Sequence, residues 1–300
     1  MSKPHTERWA YRFLYTKGIF ALTTRLYPVL GRRIFYLVSR SVAGIYAWTQ
    51  PGVREVVRKN LGLLTGKKHR ASEAAKVFDY FARTIADYVA VGAMSARKVD
   101  ALVEAQEGIT YLEEATRGGK GVILATGHYS FFELGSVALK RAGYKVCIAT
   151  LPEPTSELTA WRRNWRKRWG TTTVEVGSDP FSSFSFIQAL QDGYCTAMLV
   201  DRPYGARNQV IQMPGGQLYF SSSPALFSWM TGCAILPVII RRTETGRYRL
   251  IVKPPLYARK GMEKDRNLAV ARCTELLAEA LFEEMQKAPQ QWYQFVPVEI

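Results

Sequence analysis

Histidine is the side chain best suited to proton transfer near neutral pH, and this chain carries three: His5, His69 and His128. His5 lies in a terminus expected to fray. His69 lies in the Lys67-Lys68-His69-Arg70 loop, where solvent exposure accounts for it. His128 differs because it directly follows the apolar run 121–126 and Gly127, with Glu133 five positions later. Five helical residues rotate through about 500°, so positions 128 and 133 stand roughly 140° apart on a regular helix. They meet only if His128 sits in a turn ahead of the helix and folds back over it. A carboxylate in that place could bond one ring nitrogen and fix the tautomer, leaving the other nitrogen to take a hydroxyl proton. The simpler physical alternative is a helix-capping histidine with an unrelated glutamate, since a lone His/Glu pair is a weak signal.

The elements that must position His128 follow from the texture of the chain. Runs 121–126, 144–150, 172–176 and 195–200 are short and apolar, with helical patterns at about 130–141, 156–169 and 181–191 between them. This alternation predicts βαβ units, hence an α/β fold with a mostly parallel central sheet flanked by helices. His128 then falls at the C-terminal edge of a parallel strand, where such sheets hold their ligands. A helix near 222–231, an apolar run 233–240, a strand at 248–253 and a long helix near 263–287 complete the body. Ahead of it, residues 1–50 read as helices broken around Pro28–Gly31 and stopped at Pro51-Gly52, followed by amphipathic helices over 52–62 and 72–94. The expected division is 1–50 as a basic, apolar helical region and 51–300 as the α/β domain.

Charge separates the same two parts. The chain has 41 Lys and Arg against 25 Asp and Glu, a net +16, and residues 1–70 hold a surplus of twelve. A polybasic segment addresses an anionic surface, lipid or nucleic acid. Here the cations alternate with Phe, Leu, Tyr and Trp from Trp9 to Trp48, the composition of helices lying in a membrane interface, and no zinc spacing or RNA-binding signature supports nucleic acid. Trp9, Phe13, Phe20, Leu26, Phe35 and Trp48 are the expected lipid contacts. An ordinary amphipathic helix pair packed on the domain is the alternative. The apolar stretch 34–48 is interrupted by Arg40 and is shorter than the roughly 20 residues a span needs. Cys147, Cys195, Cys233 and Cys273 show no CxxC or metal-ligand spacing and read as buried free thiols; no metal site is expected.

Two further groups are candidates for substrate contact. Trp161, Trp165 and Trp169 recur every four residues with Arg162, Arg163, Arg166, Lys167 and Arg168 between them. On a helix this is either a lip for headgroups and anionic substrate or a tryptophan stripe in the core with solvated arginines. Asp201 and Arg202 end a strand on the same sheet edge as His128, with Tyr204 and Arg207 in the loop beyond. Arg202 and Arg207 suit phosphate, and Asp201 suits organising the loop.

The segment Gly127-His128-Tyr129-Ser130-Phe131-Phe132-Glu133-Leu134 after an apolar strand resembles the HX4D/E motif of the lysophospholipid acyltransferase superfamily, closest to its lipid A biosynthesis (lauroyl/myristoyl) acyltransferase branch. The likeness covers roughly residues 8–293. It includes Arg58-Lys59-Asn60-Leu61, Asp201-Arg202-Pro203-Tyr204-Gly205, the apolar run 231–238 and Pro289-Gln290-Gln291-Trp292-Tyr293. The motif interior and the segment 213–217 depart from that branch, which leaves open an acceptor other than a lipid A precursor, such as a lysophospholipid, a glycosylated lipid or a lipid-like metabolite. The resemblance implies O-acyl transfer from acyl carrier protein or acyl-CoA to a lipid or glycolipid hydroxyl, with His128 as base and Glu133 orienting it. It implies no cofactor, no metal and no nucleic acid, and a peripheral place on the cytoplasmic face of a bacterial inner membrane.

Overall fold

The computed structural model describes residues 17–151, 153, 155–176, 182–203, 207–259 and 265–300. The N-terminal helices are α1 (Lys17–Thr49), α2 (Pro51–Thr65), α3 (Ala71–Ala93) and the short α4 (Ala96–Asp100). Within α1, Gly31 leaves helical geometry at φ 70°, ψ 169°, so the Pro28–Gly31 break is a kink inside one long element. Pro51 starts α2, where a missing N–H costs nothing.

The α/β body then runs β1 (Val103–Glu107), α5 (Ile109–Ala115), β2 (Val122–Thr126), α6 (Glu133–Arg141), β3 (Val146–Thr150), α7 (Ser156–Arg168), β4 (Thr172–Glu175), α8 (Ser182–Gln191) and β5 (Cys195–Leu199). A hairpin of β6 (Asn208–Met213) and β7 (Gly216–Ser221) follows, then α9 (Ser223–Thr231), β8 (Ile235–Arg242), β9 (Tyr248–Val252), α10 (Arg266–Gln286) and a 3-10 turn at Pro289–Gln291. The seven-stranded sheet has the order β1-β9-β8-β2-β5-β3-β4, parallel throughout except where β8 meets β9.

Strand β2 lies inside, parallel to β8 and β5, and all five of its residues are buried. A strand covered on both faces needs a continuous apolar run, and its sequence supplies one. One face of the sheet packs Ile123, Ile235 and Ile239 against Leu277 and Leu281 of α10. The other packs Ile240 and Leu250 with Phe131, Leu134, Val137 and Trp165. Cys147, Cys195 and Cys273 are buried free thiols and Cys233 is half-buried; burial pushes the Cys147 thiol up to about 11 and Cys195 to about 12.

The sequence expectations lack β1, α5 and the β6–β7 hairpin. Edge strand β1 (Val103–Glu107) is mostly polar and carries no apolar run. The hairpin turns tightly at Pro214-Gly215, where the departure at 213–217 was noted. A Cβ on Gly215 would stand 2.2 Å from the Gly62 carbonyl oxygen, so only glycine lets the tip meet α2.

Beyond the kink, α1 turns polar residues inward. Asp87 of α3 is fully buried and accepts from Arg32 Nε at 2.9 Å, Tyr36 and Tyr248 hydroxyls at 2.5 Å, and Arg242. This cluster fastens α1, α3, β8 and β9 together. Nearby, Ala47 of α1 shares a buried cluster with Val57, Leu61, Val77 and Phe78.

Candidate active site

Sheet register brings two candidate residues together. Thr126 of β2 pairs with Leu199 of β5, and His128 and Asp201 each lie two residues beyond their partner. Asp201 is fully buried, and the His128 side chain is 19% exposed. His128 Nδ1 lies 2.7 Å from Asp201 Oδ1, and the His128 backbone N–H donates to Oδ2 at 2.8 Å. Trp292 Nε1 and Gln294 Nε2 donate to the same oxygen, each at 2.8 Å. With Nδ1 so engaged, Nε2 is the free nitrogen, and it has no hydrogen-bond partner among the described residues.

The turn between β2 and α6 is built for this contact. A Cβ on Gly127 would fall 2.4 Å from the Met285 methyl and 2.9 Å from Asp201 Oδ2, so glycine lets the carboxylate close on the backbone. Ser130 takes a left-handed conformation, φ 48°, and its N–H donates to the Gln291 carbonyl at 2.8 Å. Tyr293 N–H donates to the His128 carbonyl at 3.1 Å. The C-terminal segment thus staples the turn, and the rings of Phe132 and Tyr293 stand edge-on to the imidazole at 6.1 and 6.4 Å.

Behind Asp201 the support continues. Arg202 Nε donates to Gln294 Oε1 at 2.6 Å, and Asn60 Nδ2 donates to the backbone carbonyls of Gln294 and Val296 at 2.9 and 2.8 Å. Burial alone would raise the Asp201 carboxyl. His128, Arg202 and the Trp292 hydrogen bond outweigh it and hold the group well below the usual carboxylate range. For His128, burial outweighs the pull of Asp201, so the imidazole sits below its ordinary range and is neutral at pH 7.

The expectation that Glu133 orients His128 is corrected by this geometry. Residues 128–132 form a turn, as that expectation required, but the carboxylate on the ring belongs to Asp201. Glu133 opens α6 and is 2% exposed. It accepts from Arg162 Nη2 at 2.5 Å, Arg166 Nη2 at 2.9 Å, Arg166 Nε at 3.2 Å and the Tyr88 hydroxyl at 3.2 Å. Arg162 and Arg166 sit four apart on α7, one turn, so both reach the same carboxylate. Burial by itself would raise Glu133; Arg166 and Arg162 lower it to about 2.

The remaining candidates divide. Arg162 is also bonded to Glu153, and Arg166 is buried at 4% exposure, so both are held in ion pairs. Arg163 is exposed, 3.9 Å from Glu175, and Arg207 is exposed. Arg202 is spent on the C-terminal segment, and Tyr204 lies outside the described residues. Of the tryptophan stripe, Trp165 is buried, stacks on Tyr88 with centroids 4.3 Å apart and donates to its carbonyl. Trp161 and Trp169 pack against the same cluster. The stripe faces the core. His69 is half-buried rather than exposed, bonded to Thr65 Oγ1 at 2.7 Å. His5 lies outside the described residues.

Sequence reasoning missed Trp292, Gln294, Asn60 and Tyr88 as parts of these networks. Asn60 and Trp292 each stand in a motif that carried the resemblance, and a polar group inside a motif is the signal that could have singled them out. Among the described residues no cluster of His, Cys, Asp and Glu could hold a metal ion. A family model described as bacterial lipid A biosynthesis acyltransferase matches residues 3–297. Among curated proteins none matches the chain.

Proposed function

The chain belongs to the bacterial lipid A biosynthesis acyltransferase family, and we propose that it transfers a fatty acyl group from an acyl carrier protein or CoA thioester to a hydroxyl of a glycolipid or phospholipid, with His128 as general base. One observation carries the reading: a ring nitrogen left free at the sheet edge while the other is bonded to a sealed carboxylate. Nε2 takes the proton of the acceptor hydroxyl, and the oxygen attacks the thioester carbonyl. A C–O bond forms, the C–S bond breaks, and the imidazolium returns the proton to the departing thiolate. Asp201 fixes the tautomer and stabilises the imidazolium. Glu133 acts at one remove, by holding Arg162 and Arg166 and so the α6–α7 packing beside the site. Of the arginines named as candidates, Arg163 and Arg207 are the exposed ones, and they remain candidates for contact with an anionic acceptor. The chemistry calls for no metal or prosthetic group.

The test is transfer by the purified protein from each thioester to candidate lipids, read by mass spectrometry. His128→Ala should lower it by about 10²–10⁴-fold with the fold intact. Near-native turnover in that variant would end the proposal.

A peripheral membrane position completes the reading. Among the described residues no helix is long and apolar enough to cross a membrane. Beyond Gly31, α1 presents Ile34, Leu37, Val38, Val42, Ile45 and Trp48 to the outside, with Trp48 77% exposed. Their spacing of three and four forms one stripe on the face opposite Tyr36, Ala43 and Ala47. Of the other lipid contacts expected, Leu26 is exposed, Phe35 packs inward on Val89 and Leu158, and Trp9, Phe13 and the Phe20 side chain lie outside what is described. An apolar face of this size beside basic residues supports docking in the interface of a bilayer. Because α1 is built into the core through Asp87, substitution is the proper test rather than deletion. Leu37→Asp should weaken binding to neutral phosphatidylcholine vesicles by about tenfold or more. Unchanged binding would remove α1 from the membrane contact.

A further inference from the structure

A crevice of about 240 Å³ opens between α1, α2 and α3, lined by Arg40, Gly44, Ala47, Trp48, Arg54 and Asp79 among others. None of these residues belongs to the His128 or Glu133 networks. At 100° per residue, Arg40 and Gly44 fall on one flank of the apolar stripe of α1, next to Leu37 and Trp48. The crevice therefore borders the face read above as the membrane contact, and the inference rests on that reading.

The charges in the crevice are unevenly matched. Asp79 spends both oxygens on arginines, Oδ1 on Arg40 Nε and Oδ2 on Arg83 Nη2 at 2.6 Å. Arg40 keeps both terminal nitrogens without a hydrogen-bond partner among the described residues, and its side chain is half exposed. Arg54 gives Nη1 to the Ala47 carbonyl at 3.0 Å, and its charge meets no carboxylate among the described residues. Two guanidiniums with forked donors to spare match the oxygens of a phosphate. The space beside Gly44 is open, since a Cβ built there meets nothing within 4 Å. The exposed indole of Trp48 suits the depth at which headgroup and acyl chain meet.

We propose that this crevice binds the phosphate of an anionic phospholipid, with Arg40 and Arg54 as its ligands and the acyl chains lying along the apolar stripe of α1. It is a site for a lipid of the bilayer, separate from the site of acyl transfer.

The experiment titrates the full chain with monomeric dihexanoylphosphatidylglycerol and with dihexanoylphosphatidylcholine by calorimetry, and repeats the comparison on vesicles of phosphatidylcholine with and without phosphatidylglycerol. Wild type should prefer the anionic lipid. Arg54→Gln and Gly44→Phe should each lower affinity for dihexanoylphosphatidylglycerol about tenfold. Gly44→Phe fills the crevice without altering charge, so it separates a built site from general attraction, and it removes a helical glycine rather than adding strain. Both variants should bind neutral vesicles at least as well as wild type. Equal binding of the two monomeric lipids, or wild-type affinity for the anionic one in both variants, would overturn the crevice. Failure of the membrane reading is distinct: it is loss of wild-type binding to neutral vesicles, or indifference of that binding to Leu37→Asp, and the monomer titration does not depend on it.

Discussion

Asp201 and Glu133 are both sealed from solvent, and each accepts four hydrogen bonds, yet the company they keep gives them opposite electrostatic roles. The donors around Asp201 are a backbone N–H, an indole, an amide and the imidazole of His128. None bears a permanent charge; Arg202 acts on the carboxylate only across space, its guanidinium being bonded to Gln294 and the Tyr293 carbonyl. The donors around Glu133 include two guanidiniums, which neutralise it. A neutralised carboxylate has little left with which to stabilise an imidazolium, whatever its distance. A buried carboxylate becomes useful to a base when neutral donors hold it, and becomes structural when cations do.

Exchanging each carboxylate for its amide tests this contrast. The largest effect is expected at Asp201→Asn. Its one carbonyl oxygen stays with the three donors that meet Oδ2, which turns the NH2 toward Nδ1, so the ring proton moves to Nε2 and the base is blocked. Turnover should fall on the order of 10³-fold with the KM for lipid little changed, as when a triad carboxylate is lost. A tenfold loss or less would show that the ring needs no carboxylate for its tautomer. Glu133→Gln should act mainly on stability, since Arg166 is left buried without its counter-charge. The expected loss is about 3–5 kcal/mol in denaturant unfolding. Turnover of the folded fraction should drop far less than in Asp201→Asn. The reverse ranking would restore Glu133 as the residue that orients His128.

The same contrast explains what the sequence made legible. β2 could be read because a central strand must be apolar throughout, and His128 followed from where that strand ends. Asp201 was placed on the same sheet edge by the same logic, but the step from neighbourhood to contact needed the register of Thr126 with Leu199. Glu133 misled because nearness in sequence says little across a turn. Its partners, Arg162 and Arg166, are 29 and 33 residues away and were visible only as cations on a helix. The tryptophans between them read equally well as lipid contacts or as core, and stacking of Trp165 on Tyr88 decided for the core. In α1 the basic and apolar texture was plain, but the inward turn of Arg32 depended on a buried Asp87 fifty-five residues on. The β6–β7 hairpin pairs strands of mixed polarity, and its tight turn at Pro214-Gly215 gave no expectation of strands on either side.

The smallest predicted effect, a displacement along the pH axis, separates the two carboxylates once more. His128 must be neutral to accept a proton, and burial holds it below its ordinary 6.5. kcat/KM should therefore stay level as pH falls to 6.5 and decline only below it, about tenfold per unit beyond the pKa of the ring. Stability should fall in the same direction. Glu133 has a folded-state pKa of about 2 against 4.5 for the free group, so it binds fewer protons folded than unfolded between those values. Its contribution is present above pH 4.5 and is lost as pH falls toward 2, and Asp201, also held low, acts in the same sense. His128, held low by burial, adds a loss of the same sign that begins as pH falls through 6.5. Parallel measurement of kcat/KM and tryptophan fluorescence from pH 8 to pH 3 checks this. A decline of kcat/KM that had already begun above pH 6.5 would place the limiting titration outside the lowered range of His128 and would count against it as the base.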